Sequence, residues 1–374
     1  MEIFCTVSDE LIKSGECTDI YFQRANDILT VENKNPKVTV EVTASYLPKG
    51  FGVLCGISDL LKLLEGLPLD VFSMPEGSFF YPGEPVVRIT GNYRDFGKYE
   101  TAILGFLCHA SAIATSAAEI KAFAGDVPVY SFGSRRQHPS IAAMIERSAW
   151  IGGVDGASNI CAPAGIPLAG TMPHSFIMCY DTPNDAWVSF DRNAPSDVPR
   201  IMLADTVSDE KREALEAARA GASAVRLDTP ASRRGDMRAI AEEVRWELDI
   251  NGFSNVGIFL SGGLTPEDVR ELADIADGFG IGGAIANAPV IDFSLDIVDI
   301  EGKPVSKRGK RSGVKEVYEY EDAAHIMLPA AALPPEGASS MLKLFIKEGQ
   351  ILSMPDMQKS RLRVLSAIKK ITGS

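Results

Sequence analysis

Six short motifs hold most of the residues with chemistry to offer, and each follows an apolar run. The first, FGSRRQHP at 132–139, sets Arg135 and Arg136 side by side between an apolar stretch at 127–130 and a helix expected from about Ser140. Two planar guanidinium forks suit a carboxylate or a phosphate, although a surface loop with two solvated arginines reads the same way. The others are GTMPHS (170–175), ADT (204–206), VRLDT (225–229), LSGGLT (260–265) and FGIGGAI (279–285). Gly262-Gly263 and Gly282-Gly283 each stand near an expected helix start, where free backbone N–H groups and the helix dipole favour a phosphate. A tight turn explains either pair taken alone. Ser261 adds a hydroxyl beside the first pair. Asp205 and Asp228 have no histidine at metal-ligand spacing, so they suit hydroxyl acceptance or magnesium held through water better than zinc; capping a loop is the plainer role. Arg226, two residues before Asp228, lies on the same strand face, pairing a cation for phosphate with an acceptor for sugar hydroxyls. His174, with Thr171 before it and Ser175 after it, opens a helix; a lone histidine of this kind is more often structural. His109, His138 and His325 have less around them.

Such motifs work together only if the strands they terminate share one face. From 127 to 288, strand and helix alternate, the pattern of a parallel sheet or barrel. Strands are expected at 127–132, 166–169, 200–204, 224–227, 256–260 and near 279, with helices at 140–150, 210–220, 236–248 and 266–276. Thr265 is the expected N-cap of the last helix, followed by Pro266, Glu267 and Asp268 in its first turn. With about six strands and no GxGxxG in the first unit, a closed but irregular α/β (TIM-like) barrel fits better than a doubly wound sheet. Residues 1–92 mix strands and helices, including a strand at 37–44, a helix at 57–64 and a β-rich element at 76–91 turned by Pro82-Gly83. An apolar helix from about 96 to 123 connects the two regions.

The expected division is therefore an N-terminal α/β domain with its connector helix at 1–124, a catalytic barrel at 125–300, and a C-terminal segment at 301–374 that returns to the first domain. That last segment opens with a basic loop at 301–318 containing Lys303, Lys307, Arg308, Lys310, Arg311 and Lys315. These six cations either face solvent or form a flap over a polyanion.

Composition narrows the partners. With 374 residues, 45% apolar and 23% charged, the chain has room for about two folded domains. A net charge of −13 argues against the broad basic surface that nucleic acid or an acidic membrane requires. The most apolar run, 101–118, is interrupted by His109, Ser111 and Ser116 and reads as a buried helix rather than a membrane span. Glu2, Asp9 and Glu10 do not match a secretory leader, and six scattered cysteines without a CxxC pair indicate a reducing compartment. A cytoplasmic location is expected.

Together the motifs resemble those of nicotinate phosphoribosyltransferase, particularly its shorter archaeal and bacterial form. TDIYF (18–22) is similar to the family's N-terminal Asp-x-Tyr motif, and FGSRR, GASNICAPAGIPLAGTMPHSF (156–176), ADT, VRLDT and FGIGG follow in the family's order. Pro173 stands where the family more often has Ala. Residues 76–118 and LSGGLT also resemble quinolinate phosphoribosyltransferase. The resemblance implies an N-terminal α/β sandwich domain on an irregular α/β barrel, with sites shared between subunits of a homodimer or an assembly of dimers. It implies that Phe132 and, across the dimer interface, Tyr21 sandwich a pyridine ring whose carboxylate meets Arg135. Asp228 then holds ribose hydroxyls, and Gly262, Gly263, Gly282 and Gly283 the 5′-phosphate. His174 corresponds to the histidine that ATP phosphorylates, with Arg226 and Asp228 as its catalytic companions; Arg136, Thr171, Ser175, Asp205 and Ser261 complete the implied binding set.

The implied reaction joins nicotinate to phosphoribosyl pyrophosphate, giving nicotinate mononucleotide and pyrophosphate, with magnesium and with ATP as co-substrate. Its rivals are a quinolinate phosphoribosyltransferase, which works without ATP and needs cations for a second carboxylate, a nicotinamide-specific enzyme, and a silent metabolite-binding protein on the same fold. Some archaeal members end in a cysteine-rich zinc knuckle; here no cysteine follows Cys179.

Overall fold

The computed structural model describes residues 4–229 and 235–372. Two compact units divide the chain: Met1–Ala118, Ile151–Gly153 and Ala288–Ser374 form the first, Glu119–Trp150 and Val154–Asn287 the second.

The first unit is built on a seven-stranded antiparallel sheet in the order Lys303–Pro304, Phe293–Ile300, Lys37–Ala44, Pro85–Asn92, Asp70–Ser73, Lys343–Lys347, Gln350–Ile351. Alternation in KVTVEVTA puts Val38, Val40 and Val42 on one face. They share a core with Ile57, Leu60, Leu61 and Leu64 of the helix Ile57–Leu64, and with Ile103 and Leu107 of the long helix Glu100–Ala124. The other face is buried and polar: Thr39 bonds Thr90 at 3.0 Å, and Glu41 accepts from Lys315 Nζ at 2.8 Å. Ser111 and Thr115 of the long helix bond the backbone of Cys55 and Val53, the close approach that its small residues allow. The run Tyr93–Ala124 is long and apolar enough to cross a membrane, yet 61% of its most apolar window is buried in the protein.

Long-range pairing alters two boundaries drawn from the sequence. Phe293–Ile300, grouped there with the barrel, pairs along its length with Lys37–Ala44. Within the stretch read as a basic loop, Lys315–Tyr320 is the middle strand of a small sheet, flanked by His325–Pro329 and Ala338–Ser340. Three of the cations are neutralised by acids distant in sequence or on a neighbouring strand: Lys307 and Lys310 by Asp296 (2.5 and 3.2 Å) and Lys315 by Glu41. A flap of six free charges is therefore not what this unit presents.

The second unit holds six parallel strands in the order Gly156–Ala157, Val129–Ser131, Gly278–Ile281, Gly257–Leu260, Ala224–Leu227, Ile201–Leu203. The strand expected at 166–169 is reduced to a single bridge between Leu168 and Ala157. Every junction of a cyclic order is made except that between Gly156–Ala157 and Ile201–Leu203. Among the described residues the sheet is thus a half-barrel, not the closed barrel expected. The intervening chain forms the helices His174–Ile177 and Pro183–Asn193 instead. The latter protects the open edge: fully buried Trp187 donates its indole N–H to the Leu203 carbonyl at 3.0 Å. The helix expected to reach 276 ends at Leu272, behind a Thr265–Asp268 capping box.

Candidate functional site

Ile201–Leu203 and Ala224–Leu227 run side by side with Leu203 opposite Arg226, so their ends deliver Asp205 and Asp228 to one place. The Asp228 N–H donates to Asp205 Oδ2 at 2.6 Å and the Thr229 hydroxyl to the same oxygen at 2.8 Å. The Asp205 side chain is 1% exposed, and its Oδ1 has no hydrogen-bond donor among the described residues. Burial pushes this carboxyl above its ordinary range; Thr229, the Asp228 N–H and neighbouring His174 oppose the rise, while the Asp228 charge adds to it. The ADT loop is itself held by buried Glu213, which accepts the N–H groups of Thr206 (2.8 Å), Val207 (2.6 Å) and Ser208 (2.6 Å).

His174 begins a one-turn helix between the two carboxylates. Its Nδ1 lies 3.1 Å from Thr206 Oγ1 and 3.8 Å from Asp205 Oδ1, and its Nε2 lies 3.4 Å from Asp228 Oδ2. The imidazole is 41% exposed, so one carboxylate is hidden behind it while the other, 27% exposed, faces outward with it. Arg226 donates through Nη2 to Asp228 Oδ2 at 3.0 Å and through Nη1 to Thr171 Oγ1. Ser261 Oγ donates to Asp228 Oδ1 at 2.6 Å.

Phe132 is half-buried, stacked on Phe259 with centroids 6.1 Å apart, and the Arg226 guanidinium lies 5.9 Å from its ring centre. Glycine at 280 makes room for that ring, since a Cβ there would stand 2.3 Å from it. Arg135 and Arg136, in the short turn Ser134–Arg136, are exposed, and neither side chain has a partner among the described residues. Gly262, at φ +97°, turns the chain after Ser261, where a Cβ would stand 2.5 Å from the Asp228 carbonyl oxygen. The N–H groups of Gly262, Gly263, Gly282 and Gly283 have no acceptor among the described residues. The helix after Gly282 is one turn long, and the helix Pro266–Leu272 opens with Glu267 and Asp268. Amide donors, rather than the helix dipoles expected from sequence, are what these two loops offer an anion.

The structure therefore brings His174, Asp205, Arg226, Asp228, Thr171 and Ser261 together. Ser175 is exposed beside His174 without a partner among the described residues. Tyr21 belongs to the first unit, where it is 59% exposed on the helix Ile20–Val31 with its hydroxyl 3.3 Å from Asp19 Oδ2. Sequence reading passed over Thr206 and Thr229, although both stand inside quoted motifs, and it missed Glu213. The available signal was position: Glu213 shares the inward stripe of its helix with Ala214, Ala217 and Ala218. No group of three or more metal-binding side chains occurs among the described residues. Both Asp228 oxygens are engaged, and the open Asp205 oxygen is buried.

Residues 19–111 match the quinolinate phosphoribosyl transferase N-terminal domain, and residues 113–296 match its C-terminal domain. A nicotinate phosphoribosyltransferase of Mycobacterium tuberculosis is 32% identical over 275 residues, covering 70% of this chain; the chain spans only 58% of that relative's length. The crystal structure of a nicotinate-nucleotide pyrophosphorylase from Pyrococcus furiosus superposes with a TM-score of 0.97 at 48% identity, over 99% of both chains. Human nicotinic acid phosphoribosyltransferase shares the fold, with a TM-score of 0.75 at 19% identity over 95% of this chain and 94% of the human one. The chain belongs to the quinolinate and nicotinate phosphoribosyltransferase family.

Proposed function

We propose that the protein joins nicotinate to phosphoribosyl pyrophosphate, releasing pyrophosphate, and that ATP drives the reaction by phosphorylating His174. The observation that carries this reading is the imidazole held between a buried and a partly exposed carboxylate, with Nδ1 toward Thr206 and Asp205 and Nε2 3.4 Å from Asp228 Oδ2. With its proton kept at Nδ1, the ring retains a lone pair at Nε2. That nitrogen bonds the γ-phosphorus of ATP as the bond to the ADP oxygen breaks. Asp205 balances the positive charge that the ring then carries.

Asp228 accepts the ribose hydroxyls, the amides of Gly262, Gly263, Gly282 and Gly283 bind the 5′-phosphate, and Arg135 and Arg136 meet the nicotinate carboxylate. Phe132 stacks on one face of the pyridine, and Tyr21 of a second copy covers the other. The pyridine nitrogen has its own lone pair, so no general base is needed. It attacks C1′ as the bond to pyrophosphate breaks, and the enzyme contributes alignment and stabilisation of the leaving group. Magnesium enters as the pyrophosphate complex of the substrate. Quinolinate would need cations for a second carboxylate, whereas Arg226 is already committed to Asp228 and Thr171.

The test is formation of nicotinate mononucleotide from labelled nicotinate, phosphoribosyl pyrophosphate and magnesium, with and without ATP, beside a quinolinate control. ATP-stimulated product from nicotinate supports the reading. Turnover of quinolinate alone overturns the substrate, and product indifferent to ATP overturns the role of His174.

A further inference from the structure

A cavity of about 270 Å³ lies within the first unit, walled by residues 75–81, the small three-stranded sheet and the C-terminal helix Met357–Thr372. None of its lining residues belongs to the half-barrel. Lys343, Arg363 and Lys370 line it, with hydroxyls from Ser78, Ser339 and Ser366.

None of these three cations has a carboxylate partner among the described residues. Elsewhere in the unit, Lys315 is paired with Glu41 (2.8 Å), Lys347 with Asp70 (2.7 Å), Arg88 with Glu316 (3.2 Å), and Lys307 and Lys310 with Asp296. Around the cavity, Arg363 donates to the Glu76 carbonyl and Lys370 to the Glu321 carbonyl (3.0 Å), while Lys343 has no partner among the described residues. Burial pulls the Arg363 guanidinium below its ordinary value, with Glu319 and Glu76 only partly opposing. Glu319 is the one carboxylate on the wall, 3.9 Å from Nε2 of a buried His325 whose Nδ1 is taken by Glu84 at 3.0 Å. Three cations without carboxylate partners thus share one concave surface in a chain of net charge −13.

We propose that this cavity is a second anion site, binding free phosphate, pyrophosphate or a small phosphate ester through its phosphoryl oxygens. Arg363 supplies a planar fork, Lys343 and Lys370 supply point charges, and the three serines supply neutral donors.

Calorimetric titration of the full chain with inorganic pyrophosphate tests the assignment, with wild type compared with a Lys343→Met/Lys370→Met double variant. Lys343 is exposed and unpartnered among the described residues, so the variant should fold, and its melting temperature checks this. Wild type is expected to show binding at two sites. The double variant should lose about tenfold or more in affinity at one of them, with KM for phosphoribosyl pyrophosphate unchanged. Arg363→Lys, which keeps the charge and removes the fork, should weaken the same site to a lesser degree. Indistinguishable titrations of wild type and variant overturn the proposal. So does a loss of binding accompanied by a matching rise in KM, because the cavity would then belong to the reaction's own site. Replacing pyrophosphate with orthophosphate or ribose 5-phosphate ranks the possible ligands.

Discussion

Arg135 breaks no bond within the described chain when a carboxylate arrives, since its guanidinium is exposed and without a partner there. Its contribution to binding is therefore the whole of a charge-assisted hydrogen bond, about 1.5–3 kcal/mol. Arg135→Ala is expected to raise KM for nicotinate by roughly ten- to hundredfold with little change in kcat, as read by steady-state kinetics. An unchanged KM removes Arg135 from the carboxylate site. His174 predicts a different signature, because in the proposed reaction its ring accepts a phosphoryl group rather than holding the substrate. His174→Ala should abolish labelling by γ-labelled ATP and the stimulation by ATP, leaving slow ATP-independent synthesis; persistent coupling refutes the role. Both residues were singled out from their motifs. Asp205 was singled out too, but its burial behind His174 and the Glu213 clamp on its loop were not legible, because burial of a charged residue depends on what the fold packs against it.

At the scale of elements, patterning identified those long enough to show their own period, whatever they pair with. The apolar alternation of Lys37–Ala44 and the spacing in Ile57–Leu64 give strand and helix directly. Gly156–Ala157 is too short to show any period, and the partners of Lys307, Lys310 and Lys315 become visible only after distant strands pair. The half-barrel's open edge belongs to the same class, since its cover depends on Trp187 reaching Leu203.

The long helix carries a pH dependence of this non-local kind. Glu100, its first residue, has its carboxyl raised from 4.5 to about 7 by burial and by Asp296 and Asp19, with Lys307 opposing. A carboxylate at a helix N-terminus is ordinarily favoured by the dipole, and here burial outweighs it. The folded pKa exceeds the unfolded one, so Glu100 contributes stability that is full below about 4.5 and lost as pH rises through about 7. Glu100→Gln should therefore raise the melting temperature relative to wild type at pH 8, and the gain should shrink toward pH 5. A difference independent of pH counts against the assignment.

For the whole molecule, the question is whether a second copy of the chain completes the proposed site. The helix Ile20–Val31 has no buried residue, and Ile20, Tyr21, Ile28 and Val31 are all exposed. An apolar helix surface uncovered within one chain is suited to contact another chain. The proposed chemistry needs an aromatic face opposite Phe132, and a second copy presenting Tyr21 meets both requirements. Tyr21→Ala and Arg135→Ala should each be impaired alone at limiting nicotinate. If Tyr21 acts across the interface, mixed dimers formed by co-expression contain one site that has lost both residues and one that has lost neither. With random pairing, half the dimers are mixed and half of their sites are intact, so about a quarter of wild-type activity returns. If Tyr21 acts within its own chain, every site in the mixture lacks one residue and activity does not rise above that of the separate variants. Recovery near a quarter therefore places Tyr21 in the partner's site.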